Sequence, residues 1–353
     1  MMWRGKERPI STLVLLRHGQ SAWNRKPTFS GWCDVALTSR GRREAREAGE
    51  LLAKRGYGDM SMAFTSELQR AYETCHIVVE ALGGRASVVR DQRFNERHYG
   101  ALQGLAKDDP GLISEYGERR VSEWRRSLHS RPPALTPEHP HYREGAPLTE
   151  SLADARTRVL KGFEDIVAPE LFREGAKILL VAHSNTLRAL ISHFDEVPEK
   201  DIPGLHVPNS VPISYDFDRD HRFLRPKLGT TTTAVGSHAR WLLSEENQAK
   251  ILEALQPGGL LARALFDAWD ADNSRTLDAV EIQNGLHMVE HDVALAAIAR
   301  RIVRKIHFSP QDGSGGGGTC SRDDFDACAA EVMAELQTEK RRAASPKLLF
   351  SKK

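Results

Sequence analysis

The chain predicts an α/β fold, a mostly parallel sheet flanked by helices, followed by a second, all-α module. Three observations carry this. Leu13-Val14-Leu15-Leu16 and, within Lys177–Ala182, the residues after the lysine are unbroken apolar runs, the pattern of strands buried on both faces of a parallel sheet. Each run leads into a histidine, His18 or His183, at a strand-to-helix turn, where open α/β sheets hold their ligands. From Leu228 the composition changes. A stretch with four threonines and two glycines is followed by helical periodicity, broken only by loops at 270–281 and 309–324.

Length and composition set bounds on function. The 353 residues suffice for two domains, and 40% hydrophobic with 28% charged residues fits a soluble globular protein. A formal net charge of +2 argues against a nucleic-acid binder. No apolar run approaches the roughly 20 residues of a membrane span. The opening MMWRGKERPI is basic without an apolar core, so it does not read as a secretory signal. Cys33, Cys75, Cys320 and Cys328 form no C-x-x-C, which fits a reducing, cytoplasmic setting and small buried hydrophobes better than zinc or disulfides. Charge is uneven: residues 229–339 hold nine Lys/Arg against seventeen Asp/Glu, and the tail 340–353 is basic.

In chain order, the first strand leads into a Pro/Ser/Gly-rich loop, Arg25–Asp34. A helix follows from Thr38 with apolar Ala45, Ala48, Leu51 and Leu52, closed by Gly56. Ser61–Phe64 reads as a second strand, Thr65-Ser66 as the cap of a helix, and Ser87–Arg90 as a third strand. Residues 95–107 are loop-like, and Ile113–Arg126 is helical. The prolines at 132, 133, 137 and 140 enforce an extended connector. Thr149–Val167 reads as one long helix, and Val211–Phe217 as a last strand. If the two histidine-terminated strands are parallel, their ends bring His18 and His183 together.

The motifs LRHGQSAWN, FSGWCD, NERHYGALQGLAK, WRRS and AHSNTLR, in this order, resemble cofactor-dependent phosphoglycerate mutases of the histidine phosphatase superfamily, over residues 11–226. The resemblance implies a phosphoglycerate mutase-like domain, taken as 11–228, and a reaction through a phosphohistidine. His18 matches the phosphorylated histidine, since a neutral imidazole is a suitable nucleophile near pH 7. Arg17, Arg70 and His183 match the phosphate cage, where forked guanidinium donors suit phosphate oxygens, and Asn24 adds an amide. Glu96 matches the general acid/base, a role that a raised pKa would suit. Tyr99, Lys107, Arg125 and Arg126 match groups that bind the substrate carboxylate, and Ser30 and Gly31 a loop that contacts substrate. Ser184 and Asn185 follow the second histidine. The resemblance implies 2,3-bisphosphoglycerate as primer and no metal for the chemistry.

Two departures stand out. Ser184 replaces the family's usual glycine, so a Cβ would crowd the phosphate, force another backbone angle, or come with a hydroxyl donor. The segment between Trp124 and Ser151 is short, so a monomer or dimer is expected.

Asp270, Asp272, Ser274, Thr276, Asp278 and Glu281 stand at positions 1, 3, 5, 7, 9 and 12 of a twelve-residue loop, which resembles the calcium loop of EF-hands. Thr276 would offer its backbone carbonyl and Leu277 the short strand that joins paired loops. Arg275 replaces the loop glycine and weakens affinity. Leu295, Ile298, Ile302 and Ile306 enter a second loop, and Phe325, Cys328, Val332 and Leu336 leave it. Counting back from Asp324 puts Gly313 at position 1, with few charged ligands, so the second loop (312–324) is a degenerate structural partner. The expected plan is a linker at 229–244, an EF-hand pair at 245–338 and a basic tail at 339–353. The leading function is a glycolytic mutase interconverting 3- and 2-phosphoglycerate, and its fusion to an EF-hand pair makes calcium control a hypothesis. The alternatives are a bisphosphoglycerate synthase or phosphatase, and a non-catalytic calcium-binding adaptor.

Overall fold

The structure is a computed structural model. It describes residues 10–199, 202, 205, 207–224 and 238–242, and beyond these 276–277, 281–282, 286, 293–306, 320–321, 324–325, 327–329, 331–332 and 335. The chain divides into two compact units: 1–227 with 235–243, and 228–234 with 244–353.

The first unit is built on a six-stranded sheet in the order β3-β2-β4-β1-β5-β6. Strand β1 (Ser11–Arg17) lies at its centre, with Leu13 to Leu16 fully buried. It pairs in parallel with β4 (Lys177–Ala182), with Leu13 opposite Ile178 and Arg17 opposite Ala182. Strand β2 (Met62–Thr65) is parallel to β4, and β3 (Ser87–Arg90) to β2. On the other side β5 (Ile213–Phe217) runs antiparallel to β1, and β6 (Ala239–Trp241) antiparallel to β5. The sheet is therefore mixed, with its parallel half carrying the two histidine turns.

Helix placement follows local chemistry. A short helix α1 (Ala22–Arg25) is held by reciprocal capping between Ser21 and Asn24. Thr38 caps α2 (Ser39–Lys54), whose Ala45, Ala48, Leu51 and Leu52 pack with Val14 and Leu16. Helix α3 (Gln69–Ala81) starts later than Thr65-Ser66 predicts and lacks a side-chain cap. The Ser66 hydroxyl accepts instead from the Leu68 amide at 3.2 Å and lies 2.7 Å from His183 Nε2. The helix expected over 113–126 is two helices, α4 (Pro110–Tyr116) and α5 (Glu118–Arg126), split at Gly117 with φ +78°. Its left-handed backbone cannot continue a helix. The helix expected over 149–167 begins at α6 (Leu152–Gly162) behind a Ser151/Asp154 capping box, runs through a π turn at Phe163–Val167, and closes with α7 (Ala168–Leu171). Helix α8 (Ser184–Phe194) leaves β4 directly after His183.

One expectation needs correcting. The stretch 229–244, read as linker, contains β6, and Leu242 joins the core beside α2 and α3. Three residues carry no period of their own, and the open edge of β5 makes them a strand.

In the second unit, α9 (Val293–Lys305) buries Ile298 and Ile302 with Leu277, Ile282, Phe325 and Val332. Strands β7 (Thr276–Leu277) and β8 (Cys320–Ser321) pair antiparallel, with Leu277 opposite Cys320.

Close backbone contact fixes the first turn. A Cβ on Gly19 would lie 2.2 Å from the Gly41 carbonyl oxygen. Gly19→Ala is expected to cost at least about 2 kcal/mol, read as a lower denaturation midpoint, because neither backbone can yield cheaply.

Candidate active site

The parallel register of β1 and β4 places His18 and His183 one residue past the same rung. The ladder continues through the His18 amide, which donates to the Ala182 carbonyl at 3.0 Å. The two ring centroids are 5.0 Å apart, tilted at 60°. Both side chains are buried.

The state of His18 follows from its contacts. Nδ1 lies 2.7 Å from the Gly19 carbonyl oxygen. A carbonyl only accepts, so Nδ1 carries the proton and Nε2 keeps its lone pair. Burial holds the imidazole well below its usual pKa, helped by the positive charges of Arg70 and Arg17. The ring is neutral at pH 7, with its nucleophilic nitrogen fixed. Asn209 Nδ2 donates to the His18 carbonyl at 2.6 Å, and the Gly19 amide donates to Thr74 Oγ1 at 3.1 Å. Backbone on both sides of the ring is thereby held.

Arg70 enters from α3 and is fully enclosed. Its Nη1 and Nη2 each donate at 2.8 Å, to the carbonyls of Cys33 and Gly31. Burial lowers its pKa to about 10, still charged at neutral pH. Arg17 donates through Nη1 to the Val207 carbonyl at 2.7 Å, while its Nε is buried with no partner. His183 Nδ1 is likewise buried and unpartnered. Burial, then the charges of Arg70 and Arg17, hold His183 well below its usual pKa. Two orphaned polar atoms beside two arginines fit a phosphoryl group, which offers several acceptor oxygens and negative charge.

Glu96 is buried rather than forming a surface ion pair. Its Oε1 accepts from the Arg97 amide at 2.7 Å and from the Asn185 amide, in the first turn of α8, at 3.3 Å. The positive end of the helix thus faces the carboxylate. Arg93, three residues before it, is committed to Asp91 and Asp165.

The remaining sequence-predicted residues are distributed around this centre. Asn185 Nδ2 donates to the Tyr99 hydroxyl at 3.1 Å, and its Oδ1 accepts from Arg188 at 2.7 Å. Lys107 is held below its usual pKa by burial and by the charges of Arg125 and Arg17, so these three cations converge. Arg125 and Arg126 end α5; Arg125 is exposed, and the Arg126 side chain lies outside the described residues. The Asn24 Oδ1 is occupied by Ser21 in the α1 cap. Ser30 lies in the same loop as Gly31, which takes φ +48° and whose missing Cβ leaves room for the Gln103 carboxamide. Ser184 has ordinary helical geometry and no positive φ. The unusual angle falls at Ser210, φ +52°, whose amide donates to the Arg17 carbonyl at 2.9 Å.

Sequence reasoning missed a supporting layer. Gln103 Oε1 accepts from the Trp32 amide at 2.8 Å, and Trp32 Nε1 donates to the Glu96 carbonyl at 2.7 Å. This ties the Gly31 loop to the Glu96 segment. The tryptophan of FSGWCD and the glutamine of ALQG were visible as motif letters without a local reason. Thr74 and Asn209 left no signal, because their partners are distant in sequence. In the second unit, Asp270, Asp272, Ser274 and Asp278 lie outside the described residues; Thr276 lies in β7, and Glu281 is helical with Ile282. No cluster of three metal-binding side chains occurs among the described residues, and no described helix is long and apolar enough to cross a membrane.

A buried, neutral, tautomer-fixed histidine near two arginines and a carboxylate has the chemistry to take a phosphoryl group on its free nitrogen. Residues 13–226 match the model of the histidine phosphatase superfamily (branch 1), and the chain belongs to that family. It is similar to a 2,3-bisphosphoglycerate-dependent phosphoglycerate mutase of Mycobacterium leprae. The two are 44% identical over 226 residues, 61% of this chain and 90% of the relative. Among solved structures it resembles one described as mycobacterial hydrolase 1 (27% identity, 60% of this chain and 95% of that one, TM-score 0.49). It also resembles a mycobacterial glucosyl-3-phosphoglycerate phosphatase (28% identity, 60% and 95% coverage, TM-score 0.47).

Histidine burial sets a pH dependence. Burial also lowers His98, to about 4, aided by Arg158 and His139. In the unfolded chain all three histidines titrate near 6.5, so unfolding takes up protons below that pH. Stability from His18, His98 and His183 is therefore intact above pH 6.5 and falls below it. The slope reaches about 1.4 kcal/mol per pH unit for each fully neutral histidine. Melting curves from pH 7.5 to 4.5 are expected to show this fall, and His98→Gln to make it shallower.

Proposed function

We propose that the first unit is a 2,3-bisphosphoglycerate-dependent phosphoglycerate mutase, interconverting 3- and 2-phosphoglycerate. The observation that carries this reading is His18, neutral and donating through Nδ1, with Nε2 left to accept phosphorus. The similarity to a named mutase over 90% of that relative supports the substrate. His18 Nε2 takes a phosphoryl group as the P–O bond to the donor breaks, and returns it to the neighbouring hydroxyl of bound glycerate. Arg17, Arg70 and His183 hold the transferred oxygens, with Asn24 as a further donor, and their charge opposes that developing in transfer. Glu96 gives a proton to the departing oxygen and takes one from the attacking hydroxyl. Tyr99, Lys107, Arg125, Arg126 and Asn185 orient the glycerate carboxylate, with Ser30, Gly31 and Ser184 lining the approach. The 2,3-bisphosphoglycerate primer supplies the first phosphoryl group.

The second unit, on this reading, is an EF-hand pair that binds one calcium in the loop 270–281. With position 1 at Asp270 and at Gly313, the eighth residues are Leu277 and Cys320. These two face each other in the β7–β8 ladder, which supports both loop registers. Calcium would be held by oxygens of Asp270, Asp272, Ser274, Thr276, Asp278 and Glu281, as a hard cation requires. Fusion to the catalytic unit makes it a candidate regulator.

Incubation with 2,3-bisphosphoglycerate is expected to phosphorylate the full chain at one histidine, and His18→Ala to abolish both label and turnover. Glu96→Gln is expected to retain the label and lose about 10²–10⁴-fold in kcat. Release of inorganic phosphate faster than isomerisation would identify a phosphatase instead. Calorimetry is expected to count one calcium per chain, lost in Glu281→Gln. Equal turnover in calcium and in chelator would remove the regulatory role.

A further inference from the structure

At the opposite end of the sheet from His18 lies a cavity of about 520 Å³. Phe217, on its wall, pairs through β5 with Ser11, at the far end of β1 from Arg17. Helix α8 runs between the two ends, from His183 at one to His193 and Phe194 at the other, roughly 16 Å along its axis. The cavity thus shares no residue with the catalytic centre, and its size is that of a small-molecule site.

Its walls combine phenylalanine rings with polar groups. Phe163 meets Phe194 edge-on at 5.1 Å, and Phe172, Phe217 and Phe223 continue the surface. Phe163 opens the π turn, a rare geometry that recurs at functional sites. Flat groups already stack at this face: His221 lies on Phe172 at 4.2 Å and 16°, and His238 on Phe223 at 4.4 Å and 15°. Three non-glycine residues among those described take positive φ. One is Ser210 beside His18; the other two, Glu196 (+46°) and His221 (+59°), are both on the cavity rim. Such backbone costs about 1 kcal/mol per residue and collects at functional sites.

The wall also carries Arg156. Arg156 Nε is buried with no hydrogen-bond partner. Its charge, after burial, helps hold His193 below its usual pKa, with Glu164 and Glu196 acting the other way. A guanidinium on a wall shared with aromatic rings suits a flat molecule with a negative end.

We propose that this cavity is a second small-molecule site, taking a planar aromatic ligand with one anionic group. Its ring lies against the aromatic wall where His221 and His238 leave it open, and its anion accepts from Arg156. The probe is 8-anilinonaphthalene-1-sulfonate, titrated by fluorescence into the full chain in chelator. One saturable site per chain is expected, not displaced by saturating 3-phosphoglycerate. Arg156→Gln should weaken binding about tenfold, the loss of one charge-assisted hydrogen bond. His193→Trp, at the exposed rim, should block it. The uncharged N-phenyl-1-naphthylamine should bind weakly and ignore Arg156→Gln. Label uptake at His18 checks that both variants fold. Absence of saturable binding, displacement by 3-phosphoglycerate, or indifference to both variants would overturn the proposal.

Discussion

Everything in the catalytic unit depends on the parallel pairing of β1 with β4. Because Arg17 stands opposite Ala182, the next residue on each strand is a histidine, and both point out of the same sheet end. A shift of one residue in either strand would turn its side chains to the opposite face and separate the rings. The register is secured by residues that do no chemistry. Leu13 to Leu16 and Ile178 to Val181 are fully buried, so no alternative pairing keeps as much apolar surface from water.

That same burial sets the chemistry. Desolvation is the leading cause for both imidazoles, and the neighbouring arginines act in the same direction. An imidazolium in this place would be unsolvated and repelled, so the neutral form prevails. Hydrogen bonding then selects between nitrogens. The Gly19 carbonyl orders the proton onto Nδ1 of His18, and Gly19 holds its place because its Cα packs against the Gly41 backbone. A fold-level constraint, a close helix–turn contact, thereby reaches the His18 ring through one carbonyl.

Much of this was legible in the sequence, for definite reasons. Buried parallel strands announce themselves as continuous apolar runs, so β1 and β4 were readable, and two such runs ending in histidine implied their meeting. Helix α2 was readable from Thr38 and its apolar spacing. Boundaries failed where a polar group had a distant partner. Ser66 looks like a helix cap and is taken by His183. Gly117 breaks what periodicity alone joins into one helix. Glu96 has only Arg93 and Arg97 as nearby sequence neighbours of opposite charge, and only the fold brings the amide of Asn185 to it. Ser184, the residue whose departure from glycine stood out, sits in ordinary helical geometry, while the strained angle is at Ser210. Strand β6 was not legible because three residues in a threonine-rich stretch have no pattern until an open sheet edge pairs with them.

The placement of β6 bears on how the chain may be divided. Composition changes at about residue 228, and a cut there would separate acidic from basic sequence cleanly. It would also strip the last strand from the sheet and remove Leu242 from the core beside α2 and α3. The bare edge of β5 would then present unpaired amides and carbonyls, a template for pairing with another chain. The modular boundary visible in the amino-acid content is thus displaced from the mechanical one. A fragment meant to behave as the isolated enzyme should end after Leu243, and aggregation of a shorter piece would report a missing strand, not a need for the acidic module.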